Sequence, residues 1–222
     1  MVTFDCYGTL IDWETGILAA FRPILSANGS RLGDAEILRL YSELEFEAES
    51  SEYRPYKQVL REVVRGFGDR LGFAMTEEQQ NSLPNSLANW IPFSDTVAAL
   101  HRLKSRFKLG IISNVDDDLF ATSARRLEID FDYVITASQG RAYKPSLKIF
   151  RLAQSRLDIP PAQWLHAGQS IYHDVIPAKS LGISTVWVNR PSLRPGAGAA
   201  KQALGEPDVE VHSLADLAQL AI

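Results

Sequence analysis

One cysteine, two methionines and four histidines are all that 222 residues contain of the sulfur and imidazole side chains. The lone thiol, Cys6, has no partner in its own chain. No internal disulfide can form, and the composition suits a reducing, cytoplasmic compartment. Four scattered histidines are too few, and His166 and His173 too oddly spaced, for a structural metal site. Positive charge is also short: 23 Lys and Arg stand against 27 Asp and Glu, a net charge of −4. That balance removes the electrostatic case for nucleic acid. No apolar run is long enough to span a bilayer. Asp5 interrupts the amino terminus before the apolar stretch of a signal peptide can develop. The chain begins almost inside its first strand, so a residue or two of leader is expected ahead of Met1. Internal repeats and low-complexity tracts are absent.

What is present is ordinary for a soluble globular enzyme: 45% hydrophobic and 23% charged residues. The length suits one good-sized domain, or a core with a smaller insertion. "VTF" reads as a short buried strand. From Glu14 to about Leu87 apolar residues recur at spacings of three and four, which predicts helices. Asp34 is the expected N-cap of the second helix and Gly72 the expected stop of the third. After Trp90, strand-like and helix-like segments alternate. The strands are "KLGIISN", "YVITA", "QWLHAG" and "STVWVN", with a last one in the tail "DVEVHSLADLAQL". Alternation of this kind predicts an α/β fold, a Rossmann-like doubly wound parallel sheet. The first strand belongs with that sheet. Residues 1–12 and 89–222 are therefore the expected core, and 13–88 a helical cap inserted after the first strand. "RPSLRPGAGAAKQALGEP" reads as a surface loop.

In open α/β sheets, ligands bind beyond the carboxyl ends of the strands. The residues there are Asp5, then Ser113 and Asn114, then Lys144, then Gln169, Ser170 and Asp174. Each has a plain reading alone: an N-cap, a turn residue, a solvated lysine. Together they make chemical sense. A carboxylate is a poor nucleophile unless held and aimed. Lys144 can keep Asp5 ionised. The Ser113 hydroxyl and the amides of the Gly8-Thr9 turn can donate to Asp5 or to a substrate anion. Asp174 can orient a water.

"FDCYGTL", "ISN", "YKP" and "GQSIYHD" resemble, in order, the four motifs of the haloacid dehalogenase superfamily. The resemblance implies that Asp5 is a covalent nucleophile. It implies that Ser113, Lys144 and Asp174 are the positioning hydroxyl, the charge-balancing lysine and the fourth-motif acid. It also implies a helical cap over the site, with Tyr7, Thr9, Trp13, Asn114 and Ser170 among the substrate-binding residues. Two places after the nucleophile, phosphatases of this superfamily carry an acid that protonates a leaving alcohol; this chain has Tyr7. The first fourth-motif acid is replaced by Gln169. Both differences favour attack on carbon over attack on phosphorus. The sequence thus resembles the 2-haloacid dehalogenase branch, which displaces halide from small 2-halo acids without metal. No cofactor is expected; Mg²⁺ enters only if the chain is a phosphatase. The expected partner is a small carboxylate substrate. A homodimer is compatible with the resemblance, although no interface shows in the sequence.

The chain also departs from that branch. Where a cap arginine is usual, the apolar pattern places Leu40, with Arg39 one step aside as a substitute. Phe150 stands where a tyrosine is usual, and Gln169 and Ile171 where small polar residues are. "FDCYGTLIDWETGI" and "SIYHDVIPA" also resemble a relative that opens the ring of azetidine-2-carboxylate, a rival within the same fold. A phosphatase and a non-catalytic binding protein are the remaining alternatives. Trp13 is either a pocket wall or ordinary packing. Arg54 is either a carboxylate binder or a solvated arginine. Asp116, Asp117 and Asp118 read as negative charge at a helix N-terminus. Glu43, Glu45, Glu47 and Glu49 read as a solvated face.

Overall fold

Strand residues alternate between two hydrophobic clusters, as a pleat of period two requires. Leu109 and Ile111 enter one cluster, while Ile112 enters the other. The computed structural model describes residues 1–50, 52–190 and 198–221. Its six strands are β1 (Val2–Phe4), β2 (Leu109–Ser113), β3 (Tyr133–Thr136), β4 (Leu165–Gly168), β5 (Ser184–Val188) and β6 (Val209–Val211). They form one sheet in the order β3-β2-β1-β4-β5-β6, with every neighbouring pair parallel. The order reverses direction beside β1, so the crevice beyond β1 and β4 is where such a sheet receives a ligand. Of the expected surface loop, residues 191–197 lie outside the described residues.

Helices α1 (Trp13–Ala27), α2 (Asp34–Glu49), α3 (Tyr56–Leu71), α4 (Glu77–Gln80) and α5 (Ser82–Ser86) all fall between β1 and β2. Those two strands are neighbours in the sheet, so the five helices are an excursion from it. The rest follow in the sheet-forming part: α6 (Thr96–Lys104), α7 (Asp117–Leu127), α8 (Ala137–Gly140), α9 (Leu147–Leu157), α10 (Ile176–Ser180) and α11 (Leu214–Leu220). The inserted helices share an apolar interior in which Phe21 stacks on Phe67, ring centres 3.9 Å apart. Helix α3 stops at Gly72, whose φ of +81° suits a left-handed cap. The start of α2 differs from expectation. Gly33 is the cap residue and donates its N–H to Glu36, whereas Asp34 sits one place inside and pairs with Arg22. "DVIPAKSLG" likewise differs, because a π-type turn over Ile171–Val175 precedes α10.

A buried carboxylate helps tie the inserted helices to the sheet. Helix α3 begins after Pro55 with no side-chain cap of its own, so its first N–H groups need acceptors. Asp116, buried beyond β2, supplies them. It accepts from Tyr56 N at 2.9 Å and Lys57 N at 3.0 Å, and from Ser138 Oγ at 3.2 Å. Its charge also faces the positive end of that helix. The three consecutive acids thus divide their work. Asp117 accepts from Thr136 and Gln139, Asp118 pairs with Lys57, and Asp116 serves a helix 60 residues away. Asp116→Ala should lower stability by about 1–3 kcal/mol, the usual cost of leaving buried donors unmet. Urea denaturation reads this out, and an unchanged midpoint would show that Asp116 does not anchor α3.

Candidate active site

The segment after β1 is a tight turn built around Asp5. The Cys6 carbonyl accepts from both Leu10 N and Ile11 N, and Gly8 N donates to Ile11 O at 2.8 Å. Gly8 has φ +86°, and a Cβ there would lie 2.8 Å from Gln169 Oε1 and 2.9 Å from Trp13 Nε1. Only glycine meets both constraints. The Gly8 amide is therefore engaged within the turn, and the Thr9 side chain is the group that reaches Asp5. Its Oγ1 donates to Asp5 Oδ2 at 3.0 Å and accepts from Gln169 N at 2.9 Å, which joins the loops after β1 and β4. Gly168 makes room for Asp174, since a Cβ there would lie 2.4 Å from Asp174 Cγ.

Lys144 lies in the loop after α8. Asn114 brackets its backbone, accepting from Lys144 N at 2.6 Å and donating to Lys144 O at 3.1 Å. Asn114 thus fixes the lysine backbone, and it also lines the pocket, where its Nδ2 reaches Glu49 Oε2 at 3.5 Å. The ammonium stands between two carboxylates, 2.7 Å from Asp5 Oδ1 and 2.6 Å from Asp174 Oδ1. Lys144 is 2% exposed. Burial alone would lower its pKa, but the charges of Asp174 and Asp5 outweigh that and hold it above the ordinary value. Burial also works to raise Asp174, yet the Lys144 charge and the His166 hydrogen bond pull it well below the usual carboxylate range. Asp5 ends up raised, because burial and the Asp174 charge exceed what Lys144 and Thr9 give back. Of the two acids, Asp5 is the one less settled as an anion, and so the more basic.

A hydrogen-bonded chain supports Asp174 from behind. Trp164 Nε1 donates to Thr3 Oγ1 at 2.7 Å, Thr3 meets His166 Nδ1 at 2.8 Å, and His166 Nε2 meets Asp174 Oδ1 at 3.0 Å. A carboxylate only accepts, so Nε2 carries the proton and Nδ1 accepts from Thr3. Phe150 sets its ring edge-on to His166 at 5.1 Å. The sequence held no local signal for this chain, because its members meet only through pairing of β1 with β4.

Two buried oxygens face the pocket without a hydrogen-bond partner among the described residues: Ser113 Oγ and Asp174 Oδ2. Ser113 therefore does not donate to Asp5 as expected. A buried hydroxyl left unmet is costly unless a ligand completes it. Of the other residues expected there, Trp13 forms a wall and meets Tyr41 edge-on, ring centres 5.9 Å apart. Tyr7 also lines the pocket, but its hydroxyl is bonded to Ser123 Oγ at 2.9 Å. Ser170 accepts from His173 N at 3.1 Å, which shapes the turn after β4. Burial lowers His173 to about 4.

The inserted helices differ most from expectation. Arg39 is not in the site: its side chain is 61% exposed and pairs with Glu43 on the same helix. Arg54 neither faces the pocket nor stands free in solvent; it pairs with Glu62 and donates to Ala48 O. Glu45 and Glu49 are not a solvated face. They are half-buried, line the pocket opposite Asp5, and are raised chiefly by burial. Tyr41 and Tyr56 donate to Glu45 Oε1 at 2.7 and 2.5 Å. The missed signal was the spacing of Tyr41, Glu45 and Glu49, four residues apart and hence on one helical face.

The space enclosed is about 50 Å³. That is little more than one water's share of liquid, about 30 Å³, and confines the reacting part of a substrate to a few heavy atoms. A larger cavity of about 850 Å³ lies beyond Trp13 and Gln169, but none of Asp5, Ser113, Lys144 or Asp174 lines it. Magnesium fits this donor set poorly. The facing oxygens of Asp5 and Asp174 already hold the Lys144 ammonium, and the third acidic place is the neutral Gln169.

Comparison with known proteins agrees with this architecture. Residues 1–182 match the family model described as haloacid dehalogenase-like hydrolase. An (S)-2-haloacid dehalogenase of Pseudomonas putida is 24% identical over 97% of this chain and 93% of its own. A glyceraldehyde 3-phosphate phosphatase of Methanothermobacter thermautotrophicus is 27% identical over 99% and 96%. The crystal structure of an L-2-haloacid dehalogenase, 25% identical, superposes with a TM-score of 0.83 over 99% of this chain and 97% of that one. Among the described residues, no helix is long and apolar enough to cross a membrane.

The ion-pair geometry predicts a pH-dependent stability effect. Lys144→Met leaves two buried carboxylates without their cation, which should cost about 3–5 kcal/mol near pH 7. Without Lys144, both acids titrate above their unfolded value. That penalty is present at neutral pH and is lost as pH falls and the acids take up protons. Denaturation at pH 7 and at pH 4 should therefore show the gap to wild type narrowing at the lower pH. A constant gap would mean that Asp5 and Asp174 do not depend on Lys144 for their charge.

Proposed function

Because the chain belongs to the haloacid dehalogenase-like hydrolases, we propose that it hydrolyses small 2-halo acids with Asp5 as the nucleophile. The observation that carries this reading is the Lys144 ammonium clamped between Asp5 and Asp174, with Asp5 lining a small pocket. Thr9 and Lys144 fix both oxygens of Asp5, so the carboxylate is aimed before substrate arrives. One carboxylate oxygen attacks C2 of the substrate. The carbon–halogen bond breaks, the halide leaves with the electron pair, and an aspartyl ester remains. Water then attacks Cγ of Asp5; the ester bond opens there, the 2-hydroxy acid departs, and the carboxylate is restored. Asp174 Oδ2, buried and unpartnered, is suited to hold that water. Ser113 Oγ is suited to the substrate carboxylate. Trp13, Tyr7 and Ser170 give the pocket its shape, and Arg39 has no part.

Tyr7 supports attack on carbon. A leaving halide needs no proton, and the Tyr7 hydroxyl, pushed up by burial and held by Ser123, is not placed to give one. The competing reading is a Mg²⁺-dependent phosphatase. Release of p-nitrophenol from its phosphate, with and without Mg²⁺, separates the two. Halide release from a panel of 2-halo acids, with azetidine-2-carboxylate included, defines the substrate. The decisive test is a single turnover in ¹⁸O-water with excess enzyme. The label should enter Asp5 and leave the first product unlabelled; over many turnovers it should pass into product. Labelled product in the first turnover would refute the ester and make Asp5 a base toward water.

A further inference from the structure

Helix α2 carries four acids, and they meet two fates. Glu43 and Glu47 point outward and are paired with Arg39 and Arg70. Glu45 and Glu49 line the pocket; Glu49 Oε2 accepts from Asn114 Nδ2 at 3.5 Å, and among the described residues neither acid forms an ion pair. Acidic groups in the pocket therefore outnumber cations. Asp5, Asp174, Glu45 and Glu49 line it with a single ammonium, Lys144, which is already engaged by the two aspartates. His173, titrating at about 4, adds no charge near neutral pH. Both tyrosine hydroxyls fall on Oε1 of Glu45, which leaves its Oε2 for another donor. In the same pocket, Ser113 Oγ, 1% exposed, has no partner among the described residues.

A simple 2-halo acid brings one more negative charge into such a pocket and no cation to meet Glu45 and Glu49. Burial raises both Glu45 and Glu49, and a ligand cation favours their ionised form while making charge-assisted hydrogen bonds. We propose that Glu45 and Glu49 receive a cationic group of the substrate, so that the enzyme prefers 2-halo acids that bear an ammonium. The proposal rests on Asp5 as the nucleophile that the reacting carbon faces, and it names the class of compound that this carbon belongs to. The carboxylate of the zwitterion lies toward Ser113 and Lys144, and its ammonium toward α2. The wall makes the substrate's second charge a condition of entry. An arginine in its place would instead accept any small anion.

The test uses pairs of equal shape that differ by one charge. Calorimetry on the wild-type protein compares β-alanine with butyrate, and halide release compares 3-amino-2-chloropropionate with 2-chlorobutyrate. The ammonium member should bind, and turn over in kcat/KM, about tenfold better or more, the usual size of one charge-assisted bond. The Glu45→Gln/Glu49→Gln double variant should lose that preference; if it does not fold, Glu49→Gln alone should narrow it. Equal or weaker binding of β-alanine than butyrate by wild type overturns the proposal. So does a preference that survives in the variants. Tighter binding of β-alanine without halide release from either chloro acid leaves the acidic wall standing and rejects dehalogenation instead.

Discussion

One buried ammonium organises the molecule's chemistry. Lys144 neutralises two carboxylates that arrive from different strands, and it does so where water is nearly excluded. At such sites a charge either finds a partner or loses its proton. The lysine therefore sets the protonation of Asp5 and Asp174 together. It also fixes where the loop after α8 must lie, and that is why Asn114 is given over to the Lys144 backbone. Gly168 follows from the same demand, since a Cβ there would lie 2.4 Å from Asp174 Cγ.

The two acids flanking that ammonium are made unequal by what stands behind them. Asp174 is held by His166, which is held by Thr3, which is held by Trp164. Asp5 has only the threonine of its own turn. An anion that is heavily solvated by fixed donors is stable and unreactive; one with fewer donors is more basic. The division of labour proposed for the two carboxylates thus follows from their hydrogen bonds, although both bind the same cation.

The sheet and its excursion were legible in the sequence because both rest on periodicity. Strand-like runs after Trp90 and the three-and-four spacing before it map onto β2–β6 and α1–α5. Asp5, Ser113, Lys144 and Asp174 were legible because the rule of strand ends needs only the order of elements. The wall opposite them was not. Whether Glu45 faces a ligand or the solvent depends on how α2 packs against its neighbours, and Glu45 meets Tyr56 of α3 only once the two helices are packed. Arg39 failed for the same reason: it lies beside Leu40, and the buried Leu40 takes the inward face that the arginine needed. The His166 chain was invisible because it is assembled across strands.

The carboxylate of Asp116 has a consequence for how this architecture can change. It belongs to the sheet, yet the helix it completes belongs to the excursion that shapes the pocket. The excursion is consequently not a self-contained cassette. Grafting the helices of a relative onto this sheet would bring a new pocket wall without the acceptor its third helix was selected against, and would leave Asp116 facing whatever replaced Tyr56 and Lys57. Pocket shape and sheet sequence are coupled at that position, and specificity can diverge by recombination only where both sides of the contact travel together.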